Sequence, residues 1–297
     1  IPVRKTIIHK RQVEYEFRWS LNQMVYIPSL EKPRVKETCT THQPVVICID
    51  TSGSMNEKAE DGRTKIEIVE QMVNSLSKID LSESEKGAVD ICILAFDDEC
   101  RVLQDWFPLS DFKGNLKLNA GGCTALGSAI INSIDAIRAR RNVYTSSEYG
   151  IEARKAQIFL YTDGVSTEDM SKAIEYSQDY LNRDKPSAKL YTILIPPATD
   201  PSEMMKLGEK VVILRAADCV NGIPSTFKFL KDSILTYGCA QPDVTVRIRI
   251  TKGVGFIDGQ GGAKKDANDG AVVQDTDIWD FGSLCGVKKD ANDGAVV

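Results

Sequence analysis

Val45-Val46-Ile47-Cys48-Ile49-Asp50-Thr51-Ser52-Gly53-Ser54-Met55 decides how this chain reads. Its first five residues are apolar without interruption and stop at a carboxylate, the pattern of a short strand buried on both faces of a parallel sheet. The loop that follows places Asp50, Ser52 and Ser54 at alternate positions around a glycine. A carboxylate and two hydroxyls facing one point suit a hard cation such as magnesium, which takes six oxygens at about 2.0–2.1 Å and keeps several waters. For this loop alone the competing reading is that Ser52 or Ser54 merely caps the next helix.

Outward from the strand, helix and strand signals alternate. Thr64 to Ile79 carries Ile66, Val69, Met72, Val73, Leu76 and Ile79 at helical spacing. Val89 to Phe96 reads as a strand, and Arg101 to Leu109 as another that turns back. Thr124 to Arg140 reads as a helix with Leu126, Ile130, Ile134 and Ile137 on one face. Gln157 to Tyr161 is a buried strand running towards Asp163. Glu168 to Asn182 is amphipathic, and Leu190 to Ile195 is a strand stopped by Pro196-Pro197. Val211 to Leu214 is the last strand of the series, and Pro224 opens a helix to about Leu235. Such alternation predicts an α/β fold with a doubly wound, mostly parallel sheet flanked by helices. Ligands of such sheets bind beyond the carboxyl ends of the strands, so those loops are the ones to inspect.

The flanks differ. Val13-Glu14-Tyr15-Glu16-Phe17 and Val244 to Ile250 alternate as half-solvated strands do, and Asp277 to Phe281 reads as a further strand. The predicted organisation is an N-terminal extension with β character over 1–42, the α/β domain over 43–238, and a C-terminal β-rich segment over 239–297. The terminal segments would form a small β-rich annex. Within the last segment Lys264 to Val273 recurs verbatim as Lys288 to Val297. Each copy carries Asn-Asp-Gly, a turn signal; a calcium loop is one residue out of register and lacks its closing Glu.

Two more loops sit where the sheet would present them to Asp50. Gly121-Gly122-Cys123-Thr124-Ala125-Leu126-Gly127 offers the Thr124 hydroxyl, and Tyr161-Thr162-Asp163-Gly164 offers the Asp163 carboxylate. Singly these are a helix cap and a turn. Jointly the three loops supply two carboxylates and three hydroxyls. Other polar clusters read as scaffold: Glu57, Glu60 and Asp61 as a solvated loop, Asp97-Asp98-Glu99 as a polar turn, and Arg138 to Arg141 as a solvated helix end. His9 and His42, the two histidines, read as surface or loop residues. Cys39 beside His42 is too sparse for zinc.

The order DxSxS, a Gly-rich loop with Thr, then TDG resembles the metal-ion-dependent adhesion site of the von Willebrand factor A domain family over roughly residues 43–238. All five motif positions are filled, by Asp50, Ser52, Ser54, Thr124 and Asp163. Thr124 to Gly127 and the ending Val212 to Asp218 look most like the bacterial TerY-type branch. Cys123 departs from the pattern, where Gly is usual. The resemblance implies a Rossmann-like sheet with one Mg²⁺ or Mn²⁺ at its top. Ser52, Ser54 and Thr124 would coordinate directly, and Asp50 and Asp163 directly or through water. It also implies a protein partner presenting Asp or Glu to the metal, a kinase, phosphatase or AAA-type ATPase among them, within a stress or signalling assembly.

Composition removes other classes. Of 297 residues 42% are apolar, ample for a core, and 37 basic against 42 acidic residues leave a net charge of -5, unsuited to a nucleic-acid phosphate surface. No apolar run approaches the roughly 18 residues of a membrane span. The start, Ile1-Pro2-Val3, lacks Met and a signal-peptide core, as in a trimmed or processed chain. Eight cysteines without any CxxC favour a cytoplasmic setting. No GxSxG, HExxH, P-loop or GxGxxG motif is present. The sequence therefore predicts a metal-dependent protein-binding module rather than an enzyme. The alternative is a Mg²⁺-dependent phosphoryl transferase or hydrolase on the same fold, against which stands the missing second carboxylate in Asp50-Thr51-Ser52.

Overall fold

The computed structural model describes residues 33–36, 39–181, 188–198, 200–208, 211–239, 247–249, 254–257 and 278–280. The decapeptide copies, His9 and the alternating stretch near Tyr15 lie outside these residues, as does most of the predicted N-terminal extension.

The decisive apolar run lies in β1 (Thr41–Asp50), at the centre of an eight-stranded sheet. Its neighbours are β2 (Val89–Phe96) on one side and β5 (Ala156–Thr162) on the other, both parallel to it. β3 (Cys100–Pro108) returns antiparallel beyond β2, as the sequence suggested. β4 (Glu152–Ala153) pairs with the start of β1. β6 (Ala188–Leu194) and β7 (Val212–Ala216) continue the parallel run on the far side. β8 (Arg247–Arg249) pairs antiparallel with β10 (Ile278–Asp280) in a separate two-stranded ribbon. β9 (Val254–Ile257) joins the main sheet antiparallel to β7, so Val211 to Leu214 is not its last strand. The order β3-β2-β1-β5-β6-β7-β9 puts the chain's change of direction at β1.

Alternation along β1 divides the core. Val45, Ile47 and Ile49 face one layer with Ile68, Val69 and Val73 of α1 (Lys65–Asn74) and Phe227, Leu230 and Ile234 of α6 (Gly222–Cys239). Val46 and Cys48 face the other, with Leu126, Ile130, Ile134 and Ile137 of α3 (Leu126–Tyr144) and Ala173 and Tyr180 of α4 (Ser171–Leu181). All five of these β1 side chains are fully buried, and the four aliphatic ones each contribute about 1.5–3 kcal/mol relative to exposure. Two short helices, α2 (Glu83–Gly87) and α5 (Ser202–Met205), complete the described set. The mixed, mostly parallel sheet between helical layers is the predicted fold class. Among the described residues no helix is long and apolar enough to cross a membrane.

Three readings of polar residues are corrected. His42 is a buried β1 residue whose Nδ1 lies 3.0 Å from Asp90 Oδ2. Arg140 is 2% exposed, with its Nη2 2.8 Å from the same oxygen. It is not at a solvated helix end, because α3 runs on to Tyr144, whose hydroxyl also donates to Asp90. Asp97 and Asp98 do more than turn the chain. Asp98 Oδ1 accepts Cys123 N at 2.8 Å, Asp97 O accepts Ala125 N at 2.7 Å, and Asp97 Oδ2 accepts the Thr51 hydroxyl at 3.2 Å. The cluster ties the first candidate loop to the second.

Candidate metal centre

Asp50 closes β1 and is fully buried. Its Oδ1 accepts Ser52 N at 2.8 Å and its Oδ2 accepts the Thr162 hydroxyl at 2.7 Å. Both donors are neutral. Burial therefore dominates, pushing the Asp50 carboxyl from 3.8 up to about 6, with those hydrogen bonds pulling down and the Asp163 charge pushing further up.

Ser52 and Ser54 flank the start of a 3-10 turn, Gly53–Asn56. Their hydroxyl oxygens lie 3.1 Å apart, and Ser54 Oγ donates to Asp163 Oδ1 at 2.6 Å. Neither serine merely caps: the Ser52 side chain makes no cap hydrogen bond at this turn. The loop before Thr124 is laced to the first by Gly53 N to Gly122 O at 3.1 Å and Gly121 N to Thr51 O at 2.8 Å. Gly122 is required there. Its φ is +74°, and a Cβ would meet Asp98 Oδ2 at 2.7 Å. Thr124 is 6% exposed, and its hydroxyl borders the third loop, since a Cβ at Gly164 would lie 3.5 Å from Thr124 Oγ1. Thr167 holds Thr124 in place, donating N–H to Thr124 O at 3.0 Å and accepting Thr124 N at 3.1 Å.

The five predicted residues thus gather at the carboxyl end of the sheet, beside the strand where direction reverses. A hydrogen-bonded chain links Ser52, Ser54 and Asp163, Asp50 adjoins it through Ser52 and Thr162, and Thr124 borders Gly164. Among the described residues no group of three or more His, Cys, Asp or Glu side chains could hold a metal. This centre is of another kind, two carboxylates with hydroxyls. That all-oxygen set fits a hard divalent ion and suits soft metals poorly.

Sequence reasoning missed Lys65. It opens α1, is 3% exposed, and its Nζ donates to Asp163 Oδ2 at 2.6 Å and Glu57 Oε2 at 2.7 Å. Burial works against its charge, but the Asp163 and Glu57 bonds and charges outweigh it and hold the ammonium above its ordinary 10.5. The ammonium neutralises Asp163, so one of the two buried carboxylates already has a cationic partner within the chain. The signal was available: Lys65 shares the i, i+4, i+8 face with Val69 and Val73, both fully buried.

Residues 45–166 match a family model described as von Willebrand factor type A domain. No curated protein sequence matches the chain. Solved structures similar to it include von Willebrand factor type A from Catenulispora acidiphila, at 17% identity and a TM-score of 0.48, over 66% of this chain and 43% of that one. The PilB minor pilin from Streptococcus sanguinis is 13% identical with a TM-score of 0.48, over 66% and 61%. Proximal thread matrix protein 1 from the mussel byssus, with a zinc occupied MIDAS motif, is 17% identical with a TM-score of 0.46, over 66% and 46%. The chain spans from 43% to 61% of the length of these three structures. The matched residues 45–166 contain most of β1, all of β2 and β5, and the three loops, and the mixed, mostly parallel sheet between helical layers is Rossmann-like.

Proposed function

We propose that this domain is a metal-dependent protein-binding module. Asp50, Ser52, Ser54, Thr124 and Asp163 would hold one Mg²⁺ or Mn²⁺, and an Asp or Glu of a protein partner would complete its shell. The observation that carries the reading is the convergence of three loops on a cluster of hydroxyls and two buried carboxylates, one of which, Asp50, meets only neutral donors. When bound, the ion supplies a strong electrostatic attraction for a carboxylate, because hydroxyl ligands leave its charge poorly neutralised. The chain's residues do the rest: Thr162 and Ser52 orient Asp50, Ser54 orients Asp163, and the Asp97–Asp98 clamp fixes the Thr124 loop. Val165, 61% exposed just beyond Asp163, gives the rim an apolar contact for a protein surface. A bacterial stress or signalling assembly, as the TerY-type resemblance implies, is the proposed setting, in the cytoplasm.

The test is thermal. Mg²⁺ should raise the melting temperature of the wild type and leave Asp50→Ala and Asp163→Ala unmoved. An unchanged response in both variants would sink this site. Capture of a partner should fail in chelator; capture indifferent to chelator puts the partner on another face. The enzyme reading gains one observation, the Lys65 ammonium beside two carboxylates. At 3% exposure and with two anions already on it, that lysine is poorly open to a substrate phosphate. Steady phosphate release from phosphoesters or nucleotides would reverse this preference.

A further inference from the structure

Lys65 is a cation inside a centre read as a cation site, and its two acceptors are unlike. Asp163 is buried and belongs to the candidate ligand set. Glu57 stands at the rim, its side chain 59% exposed. The Glu57 backbone also accepts Lys65 N at 3.1 Å, which keeps the second anion beside the ammonium. A divalent ion drawing on Asp163 would meet a positive charge already 2.6 Å from that carboxylate, and like charges at such range repel strongly where water is excluded. Glu57 offers that charge somewhere to go without crossing open space.

Resting on the metal-site reading above, we propose that Lys65 is a resident counter-cation, and that metal loading is an exchange in which the Lys65 ammonium gives up Asp163 and keeps Glu57. Without metal, Lys65 neutralises one of the two buried carboxylates and lets the loops stay assembled. With metal, the exchange lowers affinity, so occupancy follows changes in divalent concentration instead of remaining saturated. Lys65 and Glu57 are thus affinity-setting residues that need not touch the ion.

Calorimetric titration of the full chain with MgCl₂ or MnCl₂ alone tests this. Lys65→Met should bind roughly tenfold to hundredfold more tightly, the span of one charge-assisted hydrogen bond. Lys65→Arg keeps the charge and should stay near wild type. Glu57→Gln should weaken binding, and most of that effect should vanish in the Lys65→Met background, because Glu57 acts through the lysine. Lys65→Met binding no tighter than wild type, or a Glu57→Gln effect equal in both backgrounds, overturns the exchange. Should Lys65→Met not fold, the surface change Glu57→Gln decides alone: unchanged affinity overturns it. A wild type that binds neither ion removes the metal reading and this inference together. A wild type that binds, loses binding in Asp50→Ala, and gains nothing in Lys65→Met removes the exchange only.

Discussion

The two ends of the central strands each bury an aspartate, and the protein treats them oppositely. At the amino end of β2, Asp90 receives His42, both the Nε and Nη2 of Arg140, and the Tyr144 hydroxyl on one oxygen. Burial pushes its carboxyl up, but the His42 bond and the Arg140 charge outweigh that and hold it below 3.8. At the carboxyl end of β1, Asp50 receives a backbone N–H and a hydroxyl, and sits near 6. Asp90, with the Arg140 guanidinium held against it at the end opposite the candidate site, serves the scaffold. Asp50, supplied only with neutral donors, is left with electrostatic demand unmet, which is what the proposed cation would answer.

The strongest way to break this contrast is Arg140→Met. It strands Asp90 without its guanidinium inside the core, and urea unfolding should show a loss of about 3–5 kcal/mol. A loss under about 1 kcal/mol would mean that His42 and Tyr144 suffice, and the scaffold half of the comparison fails. Arg140→Met/Asp90→Asn should recover part of the loss.

Asp50→Asn should act in the opposite direction. At pH 7 without metal, a carboxyl raised from 3.8 to about 6 costs the fold up to about 3 kcal/mol, and the amide removes that cost. The variant should unfold at higher urea than wild type while losing its Mg²⁺ response. The pH dependence follows from the signs. Because the folded pKa of Asp50 is raised, its favourable share is complete below pH 3.8 and is lost as pH rises through about 6. Asp90, depressed, contributes above pH 3.8 and loses that contribution as pH falls through its folded value. Metal-free wild type should therefore lose stability between pH 4 and 6 by an amount that Asp50→Asn abolishes, with unfolding midpoints across that window as the measurement.

How much of this was legible follows the same division. Val45 to Asp50 announced a buried parallel strand because both faces of β1 are covered, leaving no polar alternation to mislead. The nearness of the five candidate residues was legible because each ends a strand or lies in a loop just after a strand or before a helix, where local sequence dictates what the loop exposes. Asp90 with His42 and Arg140 was not. The trio meets through the register that sets Gln43 against Val89 and through a helix turn 50 residues away, neither of which a linear pattern encodes. Arg138 to Arg141 looked solvated because the apolar spacing of α3 fades there, although Tyr144 continues the buried face. β9 escaped because Gly255 interrupts a four-residue strand that gains its place only by pairing with β7.

The smallest expected effect sharpens the comparison between the two internal cations. Arg140 is fixed deep in a 19-residue helix, whereas Lys65 is the first residue of α1, whose start depends on a capping box. Thr64 accepts Glu67 N at 3.3 Å, and Glu67 Oε2 accepts Thr64 N at 2.7 Å. Thr64→Ala should cost about 1 kcal/mol in urea unfolding, the usual worth of such a cap. If Lys65 holds Asp163 only as firmly as its helix end is held, the same change should let the ammonium leave more readily and tighten Mg²⁺ binding by up to about fivefold. Stability lost with affinity unchanged would mean that Lys65 is fixed by Asp163 and Glu57 rather than by the helix. Its mobility would then not be what distinguishes it from Arg140.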